Sequence, residues 1–420
     1  MKKIITFLFL LLFALLNDNL FAQFEGYISE SYGYNSNPLY TYLKQGDQLK
    51  ETYLELKYSK EKTSSLINFS YIGDLSIFNT LADRNYYQHT LAGGYKIKLL
   101  KNEPGKNQIA DADSSGEEDE EDFSNQVYDA VTLGAAVNAR HDRREHYEYD
   151  NYGLIFSASY QYLTGKSVNF NLKDEASFRN YPSLLELSNI NNSISGQLVF
   201  KNNNFKYGIA ASLGMLYYTQ TAYDTSKYEQ VINYNSKSHG KGKAGANLTS
   251  NKKILLTPQN NGTYQLIPAF FAENGWETGL WNLTLSYRYN LRSAVRYLAQ
   301  YAGANALSQD LYSESFSFEG PEAKFKFNQT LPLNIRFSFE GLFQYQTYKA
   351  PALNLNAEQI ADNRKDIRSS ADVSIARYFA LSDDFGFDIT LSGGMLRNQS
   401  NDDYNDYSTY YASFALGISF

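Results

Sequence analysis

The chain ends Tyr410-Tyr411-Ala412-Ser413-Phe414-Ala415-Leu416-Gly417-Ile418-Ser419-Phe420. Every second residue is apolar: Tyr410, Ala412, Phe414, Leu416, Ile418 and Phe420. The residues between are Tyr411, Ser413, Ala415, Gly417 and Ser419, small or polar. Successive side chains of a strand point to opposite faces. The stretch therefore reads as a strand with one greasy face and one thin, polar face.

Working back from it, the same alternation recurs. Leu154-Phe156-Ala158-Tyr160-Tyr162 faces away from Ser157, Ser159 and Gln161. Phe205-Tyr207-Ile209-Ala211-Leu213 opposes Lys206, Gly208 and Ser212. Ile335-Phe337-Phe339-Gly341-Phe343 opposes Arg336, Ser338 and Glu340. In all, the pattern predicts 16 strands, with 14 as the alternative. They fall near 24–37, 48–60, 64–80, 86–100, 126–141, 149–163, 167–181, 188–201, 205–221, 262–273, 280–293, 311–328, 334–349, 366–380, 385–399 and 408–420. Around Gly320-Pro321 the apolar frame moves from Phe316 and Phe318 to Ala323, Phe325 and Phe327. A bulge or bend there would account for the slip.

Composition agrees with an all-β chain that is wet on one side. Tyr (37) and Phe (27) are abundant, yet mean hydropathy is only −0.47. After residue 22 no stretch approaches the ~18 consecutive apolar residues of a helical span. Cys is absent, which excludes disulfides and thiolate metal sites. The net charge of −7 argues against nucleic acid as a partner. At the N-terminus, Lys2 and Lys3 precede an apolar run from Ile4 to Leu16, and Ala22-Gln23 is a cleavage position. Residues 1–22 are expected to be a secretory signal peptide, and 23–420 the folded part.

A signal peptide, alternating strands and a terminal Phe together resemble Gram-negative outer-membrane β-barrels, with no particular subfamily marked. The resemblance implies a single-chain antiparallel transmembrane barrel; the chain is too short for ~22 strands and no plug domain is expected before the first strand. It also implies residence in the outer membrane, contact with its lipid and lipopolysaccharide, and Phe420 as a C-terminal signal to the insertion machinery. An even strand number lets both termini lie on the periplasmic side. Connections expected on that side are short, as at 61–63, 164–166, 202–204, 330–332 and 382–384. Several on the other side are long: 222–261, 294–310 and 350–365. The exception is 101–125, an acidic insert expected to be disordered, which falls on the periplasmic side unless the count is wrong by one strand.

Few stretches suggest site chemistry. Residues 111–122 carry eight carboxylates and fit the skeleton of a calcium loop, with Asp111, Asp113, Ser115, Gly116 and Asp122 at the required spacing. Glu118 occupies a position normally apolar, so a solvated, self-repelling loop is the plainer reading. His141 and His146 share a charged hairpin, but five residues apart they would point to opposite faces. No metal, cofactor or catalytic constellation is expected, and a barrel enzyme is only the third functional reading.

The predicted lumen face is more informative. It carries Lys57, Lys96, Lys98, Arg140, Lys173, Lys206, Arg288, Lys324, Lys326, Arg336 and Arg368. Its acids are fewer in this reading: Glu55, Glu340, Asp372 and Asp388. Rings of Lys and Arg in a water-filled pore favour anions. The expected function is a porin-like channel for passive diffusion of small polar solutes, anionic ones included. The alternative is a non-conducting barrel that binds partners or assists assembly at the surface. The Lys-rich 222–261 segment is read as a loop, outside the mouth or folded into the lumen.

Overall fold

The structure is a computed structural model that describes residues 23–38, 40, 45–62, 64–143 except 101–127, 150–164, 167–220, 223–233, 249–258, 261–292, 316–356, 358–382 and 385–420. Its first nine strands are β1 (Gln23–Asn35), β2 (Asp47–Lys62), β3 (Ser65–Phe78), β4 (Tyr86–Leu100), β5 (Tyr128–Asp142), β6 (Asn151–Thr164), β7 (Val168–Asn180), β8 (Asn189–Asn202) and β9 (Phe205–Tyr218). The hairpin β10 (Tyr223–Asn233) and β11 (Thr249–Pro258) follows. The chain then continues through β12 (Gly262–Trp276), β13 (Gly279–Arg292), β14 (Phe318–Leu331), β15 (Ile335–Leu353), β16 (Gln359–Ala380), β17 (Gly386–Ser400) and β18 (Tyr407–Ser419).

All strands except β10 and β11 close into one antiparallel barrel of 16 strands, in which each pairs with its neighbour in the chain. β12 takes its place beside β9, and β1 pairs with β18 to complete the ring. Closure leaves the ring itself no unpaired strand edge. The terminal strand sits at the seam: Tyr27 faces Ser419 and Asn35 faces Tyr411. Phe420 adds two more backbone bonds there, to and from Gly26, at 2.9 and 2.6 Å.

The 16 barrel strands match the strands read from alternation. Two details differ, and one expected exception holds. The 222–261 segment is not simply a loop, because β10 and β11 pair as a separate two-stranded sheet. The frame slip at Gly320 is not a bulge. Glu319 faces Thr347 and Glu322 faces Gln344, the same number of residues on each strand, so none is inserted. Instead Phe318 lies on the same face as Glu322 and Lys324, where it is buried, while Phe325 lies on the exposed apolar face. Lastly, 101–127 does join β4 to β5 at the end that holds both termini, so the upstream count of four strands stands. The candidate calcium loop, the signal peptide, His146 and His239 lie outside the described residues.

The apolar faces are exposed, unlike those of a globular core. Phe156 (59%), Ile209 (58%), Leu391 (55%) and Leu416 (48%) are examples. Side chains on the concave side of a curved sheet converge and those on the convex side diverge. The polar face makes contacts that skip a strand. Tyr411 on β18 donates to Asp372 on β16 at 2.8 Å, passing over Gly394 of β17. Lys98 on β4 pairs with Glu61 on β2. The polar face is therefore the concave one, and the apolar face looks outward.

Candidate functional site

The concave wall is charge-compensated. Lys57–Glu55 (3.0 Å), Arg140–Asp142 (3.0 Å) and Lys173–Glu175 (2.6 Å) are pairs two residues apart on one strand, hence on one face. Lys206 meets Glu273 across β9 and β12 at 2.8 Å. Lys326 meets Glu340 across β14 and β15 at 2.9 Å. Glu322 is shared, with Lys324 at 2.9 Å and Arg288 at 3.5 Å. Lys96 stands opposite Leu66 and Thr132 in the ladders.

Arg336 and Arg368 differ from these. Neither has a carboxylate within ion-pair distance among the described residues. Arg368 lies between Gln344 and Asn398 in register, and its Nε is buried without a hydrogen-bond partner. Sequence reading found most of the wall's cations but missed several of their partners: Glu61, Asp142, Glu175, Glu273 and Glu322. Carrying the alternation through each full strand would have found Glu175 beside Lys173 and Glu322 beside Lys324. Asp142 and Glu61 were hidden by lying at strand ends, where they read as loop.

Toward the end opposite the termini, the wall becomes a buried polar belt from β12 to β17. Arg288 donates to Gln265 (3.1 Å), and Gln265 donates to Asn290 (2.8 Å). Gln344 donates to Glu322, Gln346 to Gln344 (2.9 Å) and Tyr348 to Gln346 (3.0 Å). Arg364 stacks over the Tyr348 ring at 4.0 Å and grips Asp366. Asn398 (3.0 Å) and Ser400 (2.6 Å) donate to the same Asp366, which is fully buried. Buried polar groups need partners, and in this belt most are supplied by the next residue along, while Arg288 Nε and Asn398 Oδ1 stay buried without one. Phe318 packs on Tyr348 with ring centroids 5.9 Å apart, and Phe316 packs against Leu216.

The same end carries a dry cluster on the other side of the mouth. Phe78, Leu81, Tyr181 and Leu187 bury one another, with Leu49, Tyr86 and Leu184 packed around them. Burial pushes the Tyr181 hydroxyl above its ordinary pKa, and neighbouring Arg179 opposes that. Two histidines occupy the outer surface instead. His89 shares a hydrogen bond with the Tyr71 hydroxyl at 2.8 Å, and His141 lies between the rings of Tyr87 and Tyr152. Among the described residues no cluster of His, Asp and Glu has the makings of a metal site.

No protein-family model matches the chain, and no curated protein is similar to it. Several solved structures are similar in outline. OccAB3 of Acinetobacter baumannii is 8% identical, with 95% of this chain and 99% of that one covered and a TM-score of 0.45. The outer membrane protein OprD of Pseudomonas aeruginosa is 8% identical over 95% and 93%, with a TM-score of 0.41. OccK2 (OpdF) of Pseudomonas aeruginosa is 9% identical over 95% and 97%, with a TM-score of 0.42. The similarity is weak in both sequence and superposition.

Proposed function

We propose that the protein is an outer-membrane, porin-like channel through which small polar solutes diffuse passively. The observation that carries this reading is the inverted construction of the barrel: exposed apolar side chains outside, ion-paired polar side chains inside. An apolar exterior suits lipid, and a closed ring of this size encloses water unless it is filled. On this reading lipid and lipopolysaccharide surround the barrel, and Phe420 at the seam is the mark read by the insertion machinery.

The residues argue for modest ion preference. Most wall cations have a carboxylate beside them, which cancels much of their field. Among the described residues Arg336 and Arg368 have no carboxylate at ion-pair distance, but the wall acids Asp372 and Asp388 have no cation there either and are met by the hydroxyls of Tyr411 and Thr390, so the preference is small, and we assign its anionic sign to the two guanidinium groups. Planar-bilayer recordings in a salt gradient test this. Wild type should show a small anion-selective reversal potential, and Arg336→Gln with Arg368→Gln should bring it close to zero. Cation selectivity in wild type would reject the assignment.

The non-conducting alternative has one observation in its favour, the buried belt and cluster at one mouth. Liposome swelling separates the two readings: a channel admits small sugars, and a blocked barrel does not.

A further inference from the structure

The dry cluster at the mouth is built by two connections that should not meet. One is 79–85, between β3 and β4. The other is 181–188, between β7 and β8. β3 and β7 are separated by β4, β5 and β6. At about 4.8 Å per strand, their ends lie roughly 20 Å apart along the wall. Short turns can touch across that gap only by leaning inward over the ends of the strands between. Leu81 and Leu187 do so, at 8% and 3% exposure, and Tyr181 is fully buried with them.

Both turns are fixed by local hydrogen bonds. Asp47 accepts from the backbone N–H of Thr80 (3.0 Å) and Leu81 (2.8 Å). Asn85 accepts from the N–H of Phe78 at 2.7 Å. Across the mouth, the Ser188 hydroxyl accepts from the N–H of Tyr181 at 3.0 Å, and the N–H of Thr219 donates to the Ser188 carbonyl at 2.8 Å. Arg143, just beyond β5, donates to the Ala82 carbonyl at 2.7 Å and ties the first turn over the gap. With these backbone groups bonded, the turns are an ordered part of the fold.

We propose that Leu81, Tyr181 and Leu187 form a fixed apolar roof over this arc of the mouth, and that the roof sets the size limit of solutes the barrel admits. The barrel wall alone would leave a wider entrance. The roof narrows it with the Leu81 and Leu187 side chains, which offer a polar solute no hydrogen bond, while the Tyr181 hydroxyl is buried with them. The proposal rests on the channel reading for its consequence, but the roof itself is a separate structural claim.

The test is Leu81→Ala with Leu187→Ala in the full chain, its folding verified by heat-modifiable gel migration. Conductance should rise about twofold, and swelling should extend to larger sugars. A folded double variant with wild-type conductance and size limit overturns the proposal. If wild type is silent and the variant conducts, the roof stands and the open-channel reading falls. If both are silent, the channel reading and the size-limit role fall, and the thiol labelling below decides the roof.

A second measurement does not depend on conduction. The chain has no cysteine, so Leu187→Cys gives a single thiol. It should react slowly with a water-soluble thiol reagent, and about tenfold faster when Leu81→Ala is added. Equally fast labelling in both would remove the roof.

Discussion

Two arcs of the same mouth are held shut to water in opposite ways. From β3 to β8 the seal is apolar and comes from connecting turns: Leu81, Tyr181 and Leu187. From β12 to β17 it is polar and comes from the strands themselves: Gln265, Glu322, Gln346 and Asp366, all nine-tenths buried or more. The difference teaches where stability is sensitive. An apolar roof loses contact area gradually when trimmed. A hydrogen-bonded belt fails sharply, because removing one member leaves its neighbours buried and unpaired.

The largest expected effect is therefore in the belt. Asp366→Ala strips the partner from Arg364 and the acceptor from Asn398 and Ser400. Loss of one member of a buried pair costs about 3–5 kcal/mol. It should appear as a lower unfolding midpoint of the whole barrel in detergent. A midpoint within error of wild type would show that the belt carries no stability.

Leu187→Ala comes next, with a cost of about 2–5 kcal/mol for a buried Leu truncation. Here the loss should be local. Hydrogen exchange should speed up in 181–188 while the strands stay protected. If the global midpoint falls as far as for Asp366→Ala, the distinction between the arcs is wrong.

Tyr348→Phe sharpens the comparison on a smaller scale. It removes the hydroxyl between Arg364 and Gln346 but keeps the ring under the guanidinium. About 1–2 kcal/mol is expected from the same melting experiment. Lys326→Gln should do least. Its pair with Glu340 is half exposed on both sides, at 51% and 48%, and water screens it. Under about 1 kcal/mol is expected, within the scatter of surface pairs. A loss as large as that of Asp366→Ala would mean that the lower wall is as dry as the belt.

Much of this was legible beforehand because the strand is a two-state reporter: each side chain is on one face or the other. Alternation alone placed the strands, their number and the termini at one end. It also put Arg336 and Arg368 on the polar face. It failed where a residue broke the rule for a tertiary reason. Phe318 is apolar yet faces inward, because Arg288 lies over its ring at 5.2 Å and Tyr348 packs beside it. From sequence that exchange of faces looked like a bulge or bend. Leu81 and Leu187 sit in turns with no periodicity to read, so nothing marked them as contacts.

By itself, then, the sequence determined the local register of polar and apolar faces, and with it the barrel. Period-two patterning acts between neighbours in the chain and needs no knowledge of distant residues. Only the tertiary structure decided which charges cancel, which arc of the mouth is dry and which is bonded, and where guanidinium groups remain uncompensated. Those outcomes depend on contacts between β2 and β4, β16 and β18, or the turns after β3 and β7. Such contacts exist only once the ring has closed and its concave side brings separated strands together.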